Sequence, residues 1–96
     1  MKKISTSDEL YTAILSLKNE TETKQFFRDL LTLAEIKEFS NRWQVVKMLY
    51  LGMSYTNIAR KLRVSTATVT RVAHWLHKGM GGYKAVGDRT LKKHTS

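Results

Sequence analysis

Between residues 60 and 71 the sequence RKLRVSTATVTR sets four bases, Arg60, Lys61, Arg63 and Arg71, among four small hydroxylated residues, Ser65, Thr66, Thr68 and Thr70. Guanidinium and ammonium groups hold phosphate oxygens by charge, and hydroxyls exchange hydrogen bonds with phosphates or base edges. The same stretch carries Leu62, Val64 and Val69, side chains suited to a packed core. These residue types predict a small unit that rests on a core and turns its other side toward an anion.

The spacing around the stretch says how such a unit is built. Ser54 is placed to cap a short helix that carries Ile58, Ala59 and Leu62 inward, Arg63-Val64 is the turn, and Ser65 caps the next helix. In that second helix Val69, Val72, Ala73 and Leu76 follow an i, i+3, i+4, i+7 pattern, and GMGG at 79–82 stops it. Two helices joined by a three-residue turn have the layout of a helix-turn-helix over about residues 54–78. Arg63 stands where glycine is frequent, which is tolerated on a backbone not forced to positive φ.

Projected at about 100° per residue, the second helix leaves Ala67, Thr70, Arg71, His74 and Lys78 opposite its apolar stripe. Ser65, Thr66 and Ala67 form a first turn slim enough to enter a major groove, where Ala67 can meet a thymine methyl. The free N–H groups of that turn suit phosphate, and Arg60, Lys61 and Arg63 flank it as phosphate clamps. The predicted partner is double-stranded DNA. The competing reading is a basic helical module that binds RNA or protein without sequence-specific DNA recognition, although the exposed aromatic platforms common in single-strand readers are missing.

Charge is distributed in agreement with this. The 96-residue chain has a formal net charge of +9, yet residues 1–40 hold six Lys/Arg against seven Asp/Glu, whereas residues 41–96 hold eleven against Asp88 alone. A polyanion would sit on the second half. The absence of cysteine excludes disulfides, cysteine-ligated zinc and cysteine nucleophiles, and fits a cytoplasmic protein. No run of 18 apolar residues occurs and Met1-Lys2-Lys3-Ile4 has no apolar run behind it, so neither a membrane span nor export is expected.

With no proline and five glycines, the chain reads as all-α, with five to six helices. Leu10, Ala13, Ile14 and Leu17 predict a first helix from about Ser7 to Lys18, and Phe26/Phe27 with Leu30/Leu31 a second after a polar break at Asn19–Thr21. Thr32 and Glu35 form a capping box that starts a third near Leu33, whose apolar positions run from Ile36 through Trp43 to Leu51 and predict burial on more than one side. Gly52 suits a left-handed helix end. Residues 1–82 are thus read as the dimerisation and DNA-binding domain, and 83–96 as a short basic extension, partly disordered.

Other chemistry is poorly supported. His74 and His77 have a metal-compatible spacing but no carboxylate or thiol partners nearby, and GMGG lacks the Lys-Ser/Thr of a phosphate-binding loop. No catalytic constellation is present in the sequence, so no enzyme, metal or cofactor is expected.

Residues 30–71, LLTLAEIKEFSNRWQVVKMLYLGMSYTNIARKLRVSTATVTR, resemble the tryptophan repressor superfamily, and HKGMGGYK resembles its YerC/YecD branch. The resemblance implies an intertwined all-helical homodimer that regulates transcription, as a repressor, with its two reading heads on one side. It also implies an effector pocket at Thr32, Arg42, Thr68 and Arg71, the residues matching the repressor's corepressor site. Val72 and Trp75 depart from that pattern, standing where the repressor has glycine and serine, and their bulk crowds the space for tryptophan. Trp75 projects to the flank of its helix, so its own indole is expected to fill part of that pocket, and tryptophan is not expected as a cofactor.

Overall fold

The computed structural model describes residues 3–91. Six helices form among them: α1 (Thr6–Leu15), α2 (Glu20–Leu30), α3 (Leu33–Tyr50), α4 (Tyr55–Leu62), α5 (Thr66–Lys78) and α6 (Gly82–Thr90). They fall into two compact units, one through Ile36 and the other from Lys37.

Side chains that cap free amides set the helix starts in the first unit. Ser5 accepts from the Asp8 N–H at 3.1 Å, and Asn19 Oδ1 accepts from the Glu22 N–H at 2.8 Å, starting α2 inside the expected polar break. Helix α1 stops at Leu15, short of the expected Lys18, because the Ser16 hydroxyl and amide both donate to the Ala13 carbonyl and tighten the last turn. The capping box at α3 is reciprocal: the Glu35 N–H donates to Thr32 Oγ1 at 3.1 Å and the Thr32 N–H to Glu35 Oε1 at 2.9 Å. That backbone donor, reinforced by the Thr32 side chain, holds the Glu35 carboxyl below its ordinary pKa. Neither α1 nor α2 contains a buried residue. Tyr11, Leu15 and Leu33 are all more than half exposed.

The second unit carries the core. Val45 and Val46 of α3, Ile58 of α4 and Val69 of α5 are wholly inaccessible, and Met48, Ala59, Val72 and Leu76 join them. Removing each valine, isoleucine, leucine or methionine among them from water contributes about 1.5–3 kcal/mol. The expected inward sets of α4 and α5 are thus observed, whereas α3 is buried only in its second half, with Phe39 about half exposed.

Helices α3 and α4 end alike. Met53 N–H reaches back to the Met48 carbonyl around Gly52 at φ 80°, and Val64 N–H reaches the Ala59 carbonyl around Arg63 at φ 56°. Both are left-handed caps, so the expectation that Arg63 escapes positive φ is corrected. The turn needs αL to bring Val64 back onto the core, and arginine adopts it at a cost that glycine avoids. Arg63→Gly is therefore expected to raise stability by about 0.5–1 kcal/mol, after glycine's larger loss of chain entropy, as read by thermal unfolding.

Beyond Gly79 the chain departs from the expected loose extension. Residues 82–90 form α6, with Tyr83 and Leu91 packed on the core and Gly87 buried. The Tyr50 hydroxyl donates to Asp88 Oδ1 at 2.8 Å, and a Cβ on Gly87 would stand 2.6 Å from the Tyr50 ring and hydroxyl. Glycine here permits a helix to approach a tyrosine closely. Burial, then the hydrogen bond to Asp88 and its charge, push the Tyr50 hydroxyl above its ordinary pKa. The remainder of the expected extension, residues 92–96, lies outside the described residues.

Candidate nucleic-acid interface

Helix α4, the Arg63–Ser65 turn and α5 form a helix-turn-helix, held by Ile58, Ala59, Val69 and Val72 in the core. The opposite side of α5 is open: Thr66, Ala67, Thr70, Arg71, His74 and Lys78 are all exposed. So are Arg60, Lys61 and Arg63 beside it. Among the described residues none of these five cations, Arg60, Lys61, Arg63, Arg71 and Lys78, makes an ion pair; the pairs present are Lys24–Glu20, Arg42–Glu38 and Lys84–Asp88. The charge of the basic face is therefore not neutralised by any ion pair among the described residues.

Hydrogen bonds within the turn divide the hydroxyls into two groups. Ser65 Oγ accepts from the Thr68 N–H at 3.1 Å and lies 3.0 Å from Thr68 Oγ1, so both side chains are engaged in starting α5. Thr70 Oγ1 donates to the Thr66 carbonyl at 2.9 Å, which leaves its oxygen to accept and its methyl to touch an apolar group. The Thr66 hydroxyl has no partner among the described residues. The sequence pattern shows which hydroxyls face outward, but only the structure shows which protons are already committed.

Of the four residues matched to an effector pocket, three are held in local bonds. Thr32 belongs to the first unit, where it caps α3. Arg42 Nη2 lies 2.7 Å from Glu38 Oε1 one turn back on α3, Thr68 is bonded to Ser65, and Arg71 is exposed on α5. Trp75 is 51% exposed, meets the His74 ring edge-on at 5.0 Å, and lines an apolar hollow with Trp43, Met80, Tyr83 and Val86. Among the described residues no group of three or more His, Cys, Asp or Glu, His74 and His77 included, could hold a metal ion. No helix among them is long and apolar enough to cross a membrane.

Six helices with no strand among the described residues, α4 and α5 forming a helix-turn-helix, define an all-α protein of the Trp repressor-like kind. Residues 5–91 match the family model described as Trp repressor protein, and the chain belongs to that family, one of DNA-binding regulators. It is 39% identical over 88 residues to the uncharacterized protein YerC of Bacillus subtilis, covering 92% of this chain and 85% of that one. The crystal structure of a TrpR-like protein from Eubacterium eligens superposes with a TM-score of 0.83 at 42% identity, covering 93% of this chain and 95% of the other. A solved structure from Staphylococcus aureus gives 0.82, also at 42% identity, over 92% and 89%.

Proposed function

We propose that the protein is a homodimeric, sequence-specific DNA-binding transcription regulator, a repressor in keeping with its family, that recognises a palindromic operator. The observation that carries this reading is the exposed face of α5, small at its first turn and flanked by cations that no acid among the described residues neutralises. Arg60, Lys61 and Arg63 hold phosphates, while Thr66, Ala67, Thr70, Arg71 and His74 address base edges, with Ser65 presenting the helix start. The uncovered apolar residues of α1 and α2 support a second copy of the chain as their cover. Two-fold symmetry then sets the two α5 helices in successive major grooves, about 34–36 Å apart.

Selection from random duplex DNA tests the reading, with an enriched inverted repeat expected. Replacing Thr66 or Thr70 by leucine is expected to change the preferred sequence, since each stands at the groove-facing side of α5. Enrichment of no duplex sequence, with retention of single-stranded RNA instead, would assign the basic face to the RNA-binding alternative.

DNA binding is expected to proceed without free tryptophan. Arg42 and Thr68 are engaged with Glu38 and Ser65, and Val72 and Trp75 add bulk where a corepressor would lie. A ligand that raises affinity tenfold needs about 1.4 kcal/mol of coupling, and hence a pocket that differs between two states. Titration calorimetry with tryptophan, beside operator binding with and without it, is expected to show neither saturable binding nor enhancement.

A further inference from the structure

Where α3 ends and α4 begins, the last turn of α5 and the middle of α6 border an open hollow of about 410 Å³ on the second unit, at which Tyr55, His77 and Lys84 are exposed. Leu49, Met53 and Leu76 supply its apolar wall, and Tyr55, His77 and Lys84 stand at its edge with Asp88. Its polar groups are unequally committed. Asp88 is satisfied on both oxygens, by the Tyr50 hydroxyl at 2.8 Å and by Lys84 Nζ at 3.5 Å. Tyr55 and His77 have no hydrogen-bond or ion-pair partner among the described residues, and one Asp88 contact uses only part of the three-donor Lys84 ammonium.

The hollow thus has spare donors, a spent acceptor and an apolar wall. From this imbalance we infer that it is a binding site for a small monocarboxylate with an apolar body. The carboxylate meets the Lys84 ammonium and the His77 and Tyr55 donors, and the body covers Leu49, Met53 and Leu76. Concave pockets of about 300–1,000 Å³, apolar with a few convergent polar groups, are the usual setting of small-molecule sites. None of the residues matched to the tryptophan pocket lines this hollow, and none of those assigned to DNA does.

The test needs no DNA, so it stands apart from the regulator reading. Benzoate and hexanoate, with benzyl alcohol and hexanol as uncharged counterparts, are titrated into the isotope-labelled full chain and followed by amide shifts in NMR spectra. The carboxylates are expected to produce saturable shifts confined to residues 49–55, 76–77 and 84–88, with dissociation constants on the order of 1 mM. The alcohols, and benzoate with the Lys84→Met variant, are expected to bind at least about five-fold more weakly, the loss of one charge-assisted contact. Shifts that do not saturate by about 10 mM, that centre elsewhere, or that are equal for acid and alcohol would overturn the proposal. The acid–alcohol comparison uses the unaltered chain, so it decides even if Lys84→Met perturbs α6.

Discussion

Combining Arg60→Ala, Lys61→Ala and Arg63→Ala is expected to weaken duplex binding by about 10²–10³-fold at 0.1 M salt and to flatten the salt dependence by about three. Each lost phosphate contact returns one condensed counterion to the duplex, which lowers the logarithmic slope by about 0.9 and affinity by nearly tenfold at that salt. The loss should be similar for operator and unrelated duplexes, because phosphates carry no sequence. All three side chains are exposed and make no ion pair among the described residues, so no salt bridge there is lost. Alanine also keeps an L side chain at the φ of 56°, leaving the turn's strain almost unchanged. Filter binding across a salt series checks it; an unchanged slope would remove these residues from the interface. The glycine variant of Arg63 is informative beside it, because stability should rise while affinity falls.

The second large effect is on stability. Ile58→Ala is expected to cost about 2–5 kcal/mol, and Ile58→Val about 0.5–1.5 kcal/mol. The upper half of the first range is favoured by the neighbours. Ile58 shares its core with Val45, Val46 and Val69, β-branched residues whose stiff χ1 rotamers cannot swing into the space left behind. Against a total of about 5–15 kcal/mol for a small domain, such a loss approaches unfolding. Denaturant melts give the numbers, and a loss under about 1 kcal/mol for the alanine variant would mean that the core collapses around the gap.

How far the sequence discloses this protein depends on what each residue shows by its type alone. Ser54, Ser65, Thr32 and Glu35 announce their caps because their side chains bond to backbone only a few residues away, and the structure contains each bond. The inward face of α5 is equally visible, since its four buried residues are all aliphatic. Helix α6 is hidden for the opposite reason. Its face toward the core runs Tyr83, Gly87, Leu91, and the middle member contributes proximity to Tyr50 instead of apolar area, so no periodic signal arises. Arg63 misleads similarly, because its left-handed backbone is demanded by the return of Val64 to the core and not by any local preference. The candidate interface is legible in its members but not in its bonding. Which threonine still has a free proton depends on rotamers, as Thr70 and its bond to the Thr66 carbonyl show.

The absence of any buried side chain from α1 and α2 also has a kinetic meaning. The core of the second unit joins helices that are neighbours along the chain, α4 with α5 and α5 with α6, and such local topologies form in microseconds to milliseconds. The first two helices have no comparable store of burial to draw on, and isolated helices of 10 and 11 residues are marginal in water. In the proposed homodimer their ordering would wait for an encounter with a second chain, a bimolecular event whose rate falls with dilution. On that proposal, newly made protein would carry a formed helix-turn-helix before it carries a formed dimer, and the concentration of the chain itself would set how long that interval lasts.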